Sequence, residues 1–210
     1  MTDLTFWTNP MSRGRIVRWM LEEIGAPYDA VVLGYGEEMR TPDFLAVNPM
    51  GKVPAIRHGG QVVTEASAIC LYLAEAFPDA GLLPPPERRG ALLRWMFFGA
   101  GPVEAAVTNA ANGWRADGPE TEGMLGYGSL ERVADVLGGL LAGGGPYLLG
   151  ERFCVLDVYL GSQIAWGRQF GTLPDRPGFD AYAARIADRP ASRRAREIDD
   201  ALLASRDGAP

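Results

Sequence analysis

Cysteine, histidine and lysine are nearly missing from these 210 residues, which hold two cysteines, one histidine and a single lysine. Cys70 and Cys154 cannot form a disulfide framework and have no C-x-x-C spacing, which fits a reducing compartment. His58 cannot form a metal cluster alone, and His58-Gly59-Gly60 reads as a surface turn between strands. No run approaches the roughly 18 consecutive apolar residues of a membrane-spanning helix. The start MTDLTFWTNP lacks a cationic stretch followed by an apolar one, so no signal peptide is expected. Excess basic charge is lacking too. Acidic residues outnumber basic ones 26 to 20, and the net charge of −6 divides evenly about residue 77, which advertises no face for nucleic acid. With 47% hydrophobic and 22% charged residues, a soluble cytoplasmic protein is expected, of one large or two small domains.

Along the chain, residues 4–9 read as a strand closed by Asn9-Pro10. Ile16, Val17, Met20, Leu21 and Ile24 then recur at helical spacing, with Gly25 as the cap. Asp29–Leu33 completes a strand–helix–strand unit with a parallel pair. After a short helix near Pro42–Ala46, Val53–Arg57 and Gln61–Thr64 form a hairpin, and Thr64 is placed to cap a helix bearing Ala68, Ile69, Tyr72, Leu73 and Ala76. Pro78–Glu87 holds four prolines and reads as a linker. Helices are predicted over 88–113, 120–142, 154–169, 178–188 and 191–204, with Pro102 kinking or breaking the first. The expected domains are therefore 1–77, α/β, and 89–210, all-α, joined by 78–88.

Three features carry chemistry. Pro54 interrupts a strand pattern, either as a strand-start proline or as a cis Val53-Pro54 bond turning the Val53 backbone toward an extended peptide ligand. Thr64-Glu65-Ala66-Ser67 opens a helix, so its free N–H groups either are simply capped or receive a carboxylate. Arg13, Arg15 and Arg18 crowd the positive end of the first helix, and Glu22 and Glu23 its negative end. The dipole disfavours that order by about 0.3–1 kcal/mol per exposed charge. An anionic ligand beside the hydroxyl of Ser12 explains it, as do solvated arginines with an Arg18–Glu22 pair.

Together these residues resemble the cytosolic glutathione transferase family, of bacterial, serine type. The resemblance rests on Asn48 to Ala55 (NPMGKVPA), on Glu65 in TEASAICLYLAE, on GERFCVLD at Gly150 to Asp157, and on Arg189-Pro190. It spans essentially the whole chain. It implies a thioredoxin-like N-terminal domain, an all-α C-terminal domain, a homodimer and glutathione as cosubstrate. By that likeness Val53 pairs with the cysteinyl backbone beside cis-Pro54. Glu65, Ala66 and Ser67 receive the γ-glutamyl group, and Lys52 reaches a carboxylate. Ser12 takes the place of the hydroxyl that favours the thiolate, with Thr8 and Asn9 as other donors nearby. Met11 and the helix of Trp95, Phe97 and Phe98 are candidates for the wall around a small hydrophobic electrophile. Ala66 stands where the family often has serine, and Cys154 where it has a Ser or Thr cap, with Asp157 still able to bond back. No cysteine lies near the first helix, so disulfide-reductase chemistry is not expected. A non-catalytic binding or scaffold protein is the alternative, because fold does not imply function.

Overall fold

The computed structural model describes residues 2–114, 116 and 118–207. The chain divides into two compact units, Met1–Gly81 with Asp188–Pro210, and Leu82–Ala187. The last helix therefore belongs with the first unit rather than with the helices that precede it.

In the first unit, β1 (Leu4–Thr8), β2 (Asp29–Val32), β3 (Ala55–His58) and β4 (Gln61–Thr64) form one sheet of order β2-β1-β3-β4. β1 and β2 are parallel, and the other two pairings are antiparallel. Alternation decides the faces. Leu4 and Phe6 are buried with Ile16, Val17, Met20 and Leu21 of α1 (Gly14–Ile24) and Ile69, Cys70 and Leu73 of α3 (Ala66–Ala76). Trp7 packs with Met39, Val47 and Phe44 of α2 (Pro42–Leu45). The strand expected over residues 53–57 starts two residues later, because Pro54 has no N–H for the ladder. His58 is no plain turn residue. It ends β3, accepts or donates through Nδ1 at 3.0 Å from the Tyr72 hydroxyl, and stacks on Phe77.

The reversed charges of α1 have a structural cause that neither sequence reading anticipated. Arg18 pairs with Asp199 at 2.7 Å and Arg15 with Asp200 at 2.7 Å, both acids lying on α10 (Pro190–Asp207). At the other end Glu23 meets Arg189 at 2.7 Å and Glu22 meets Arg194 at 3.3 Å. Rising numbers on α1 meet falling numbers on α10, so the helices are antiparallel and each carries the charge order its partner complements. Arg18 and Asp199 are buried, with the guanidinium 5.3 Å from the Phe6 ring centroid. Its Nη1 donates to the Tyr28 hydroxyl, which in turn donates to Glu22.

The second unit is helical: α4 (Arg89–Phe98), α5 (Glu104–Ala111), α6 (Pro119–Met124), α7 (Leu130–Ala142), α8 (Val155–Gln169) and α9 (Phe179–Ala187). Pro102 sits in a π-helical turn, Gly99–Val103, between α4 and α5, where its missing N–H is accommodated. The helix expected over 120–142 is broken at residues 125–129, and Ser129 starts α7 by accepting the Arg132 N–H. α8 is the buried centre of this unit. Its Asp157 accepts from the N–H groups of Cys154 and Leu148 and from the Tyr182 hydroxyl, at 3.0, 2.9 and 2.8 Å. Among the described residues no helix is long and apolar enough to cross a membrane.

Candidate functional site

One end of the sheet collects the residues singled out on sequence. Trp7 lies opposite Ala55, and Ala55 opposite Thr64. One step beyond that row come Thr8 and the β1–α1 loop, then Pro54, then Glu65. Thr8 also lies opposite Val32 of β2, so the segment after β2 emerges at the same end. Ser12, Val53, Pro54 and Glu65 to Ser67 are therefore brought together by strand register alone.

The Val53-Pro54 peptide is cis, and both residues precede the β3 ladder, outside the sheet's pairing. Pro54 is buried and Lys52 exposed. Helix α3 begins with an open N-terminus. Its first main-chain bond runs from the Ile69 N–H to the Glu65 carbonyl, which leaves the N–H groups of Ala66, Ser67 and Ala68 without helical acceptors. Thr64 does not cap it. The cap position is Glu65, with φ 66 and no side-chain capping bond. That backbone turn exposes the Glu65 side chain at the helix start, where the helix dipole is positive.

Ser12 is half-buried. Its hydroxyl donates to the Asn9 carbonyl at 2.7 Å and accepts the Gly14 N–H at 2.9 Å. Gly14 is required here, since a Cβ would fall 2.1 Å from Thr8 Oγ1 and 3.0 Å from Ser12 Oγ. The Thr8 hydroxyl is buried and unpartnered, so the two hydroxyls converge on that glycine. Gly14→Ala should cost about 1–3 kcal/mol by overpacking, measured as a lower urea midpoint. Thr8→Ala in the same chain should restore part of it; a Gly14→Ala midpoint equal to wild type would contradict this packing.

A duplication in this site escaped the reading of the sequence. Asn9-Pro10-Met11 and Asn48-Pro49-Met50 fold into the same turn. Each asparagine is buried, and its Oδ1 accepts the N–H of the methionine two residues on, at 2.8 and 3.1 Å. Each Nδ2 donates 2.7 Å to a carbonyl, that of Leu33 or Lys52. The i to i+3 bonds Ser12 N to Asn9 O and Gly51 N to Asn48 O close both turns. Proline at the second position pre-sets such a turn. The methionines end 73% and 74% exposed. The repeated tripeptide was the available signal. Tyr35 was also missed; its hydroxyl donates to the Met11 carbonyl at 3.1 Å, and desolvation raises its pKa against the nearby Arg13 charge.

Neither thiol is exposed, and burial pushes Cys154 up to about 12 and Cys70 higher still. Of the α4 aromatics, Trp95 is buried edge-on to Phe98, while Phe97 is exposed.

A mixed four-stranded sheet flanked by helices, with a cis-proline loop and an open helix start at one end, defines a thioredoxin-like domain. Residues 11–76 match the glutathione S-transferase N-terminal domain family. The chain is 31% identical over 168 residues to glutathione S-transferase GstA of Escherichia coli O157:H7, spanning 77% of this chain and 78% of that one. It is 32% identical over 167 residues to maleylacetoacetate isomerase of Pseudomonas aeruginosa, spanning 76% and 78%. The theta class glutathione S-transferase of Xanthomonas axonopodis pv. citri, solved with glutathione bound, superposes with a TM-score of 0.73 at 30% identity, over 93% of this chain and 97% of that one. The chain belongs to the glutathione transferase family.

Proposed function

We propose that this protein is a glutathione transferase that binds glutathione at the end of the sheet and activates its thiol for attack on a small apolar electrophile. The observation that carries the reading is the convergence there of a Val53 backbone outside the strand ladder, the open N-terminus of α3 and the Ser12 loop. Val53 pairs with the cysteinyl backbone, held by cis-Pro54. The γ-glutamyl carboxylate takes the N–H groups of Ala66 and Ser67 and its ammonium takes Glu65, while Lys52 reaches the other carboxylate. A helix N-terminus suits such an anion.

Ser12 then turns its proton from the Asn9 carbonyl to the sulfur. A neutral hydrogen bond worth about 1 kcal/mol is exchanged for one to an anion worth about 1.5–3 kcal/mol, so the exchange favours the thiolate. The Gly14 N–H that enters Ser12 Oγ strengthens the hydroxyl as a donor. Exposed Met11 supplies apolar wall for the electrophile. Such conjugation is the chemistry of detoxification in the cytoplasm. The working form is a homodimer, whose mass in light scattering is twice 22.6 kDa.

A second reading has one observation in its favour. The Ser12 hydroxyl already has both an acceptor and a donor, as in a protein that binds glutathione without activating it. Calorimetric titration with glutathione tests the shared part. Glu65→Ala should weaken binding about tenfold, the loss of one charge-assisted contact. Equal affinity in wild type and variant removes Glu65 from the site, and no heat at millimolar glutathione removes the site altogether.

A further inference from the structure

Arg15 and Arg18 of α1 pair with α10, and Arg15 also touches the loop of the candidate site. Arg15 Nε donates to the Pro10 carbonyl at 2.5 Å, while its Nη2 pairs with Asp200 of α10 at 2.7 Å. Pro10 lies between Asn9, whose carbonyl accepts from the Ser12 hydroxyl, and Met11, whose carbonyl accepts from the Tyr35 hydroxyl. One planar guanidinium therefore bridges helix and loop, with donors in a fixed fork that a lysine ammonium cannot reproduce. Asp200 faces this charge directly, and Asp199 feels it as well. The cation is thus matched by carboxylates on its own side of the loop, which leaves geometry as its main lever on the site.

We infer that Arg15 is a positioning residue which, anchored by Asp200 on α10, fixes the Pro10 carbonyl and through it the direction of the Ser12 hydroxyl. The inference rests on the role proposed above for Ser12. Catalytic groups held looser than about 0.5 Å lose much of their effect, so the clamp acts on thiol activation more than on glutathione affinity.

The test follows thiolate absorbance of bound glutathione against pH in the full chain. Arg15→Leu and Arg15→Lys are each made with and without Ser12→Ala. Arg15→Leu should raise the bound thiol's pKa by about one unit, a tenfold loss of thiolate below the pKa. The glutathione KM should change little, and kcat with a chlorodinitrobenzene should recover as pH rises. Arg15→Lys should behave like Arg15→Leu, and neither should add to Ser12→Ala. Asp200→Asn, at an exposed side chain, should give a smaller rise and covers the case in which Arg15→Leu fails to fold. A wild-type pKa in Arg15→Lys would mean that charge, not geometry, is at work, and an additive shift on Ser12→Ala would mean that Ser12 is not the target. Either overturns the positioning role, as does a lowered wild-type pKa that Arg15→Leu and Asp200→Asn leave unchanged. A wild-type protein with no lowered pKa instead removes the Ser12 reading beneath it.

Discussion

Asp199→Ala should destabilise the protein by about 3–5 kcal/mol, the cost of leaving a buried arginine without its partner. Arg18 is 1% exposed and Asp199 0%, so water cannot replace the lost carboxylate. The pair is itself imperfect. Arg18 Nη2 and Asp199 Oδ2 have no hydrogen-bond partner, and burial raises the Asp199 pKa although Arg18 opposes it. Replacing both members with apolar residues, Arg18→Met with Asp199→Leu, should therefore recover most of the loss. Denaturant unfolding of wild type and the two variants decides this. A double variant no more stable than Asp199→Ala would show that the ion pair, rather than the penalty of an orphaned charge, supports α10. The other three pairs of this helix couple are partly exposed and individually weak. Their value is orientation, because only the antiparallel arrangement matches all four.

Asp157→Ala should lose about 3–5 kcal/mol in the helical unit, since it orphans two buried N–H groups and the Tyr182 hydroxyl, at about 1–3 kcal/mol each without full additivity. Asp157→Asn keeps one oxygen and turns an amide donor toward remaining donors, so it should rescue only part. The pH dependence adds a second check. Burial holds the Asp157 carboxyl above its ordinary range, despite its hydrogen bonds. The native state therefore keeps this proton where the unfolded chain has lost it. The group's contribution is complete below about pH 4 and is lost as pH rises through the raised native value. Wild type should exceed Asp157→Asn most at low pH, with the difference shrinking toward neutrality. A difference that grows with pH would show that the native carboxyl is more acidic than this burial allows.

Much of the fold was legible because its signals are local. Gly25 ends α1 in a left-handed cap that accepts no strain, and Asp157 bonds back to Cys154 at the start of α8 as their spacing anticipates. The order of strands and helices in residues 1–77 follows the change from alternating to helical periodicity. The break between α6 and α7 lies at the turn residues Gly126, Gly128 and Ser129, which an uninterrupted helix over 120–142 passes over. The charge order of α1 could not be explained locally, since the partner of Arg18 lies 181 residues away. His58 was misjudged for the same reason, as Tyr72 and Phe77 reach it only once α3 has packed.

The candidate site divides along the same line. NPMGKVPA and TEASAI identify the residues at the sheet end, and strand register brings them together. What sequence could not supply is the state of each polar group: the Glu65 backbone turn, the Ser12 hydroxyl bonded to Asn9 and Gly14, and the unpartnered Thr8 hydroxyl. These depend on contacts made after the strands have paired.

The most direct measurement of the central claim is an ultraviolet difference titration of glutathione bound to wild type and to Ser12→Ala. A free thiol titrates near pKa 8.5. Wild type should lower the bound value by about a unit or more, roughly 1.4 kcal/mol of preference for the thiolate, and Ser12→Ala should return most of it. Saturable binding with an unshifted thiol in wild type would contradict thiol activation and leave a glutathione-binding protein in its place.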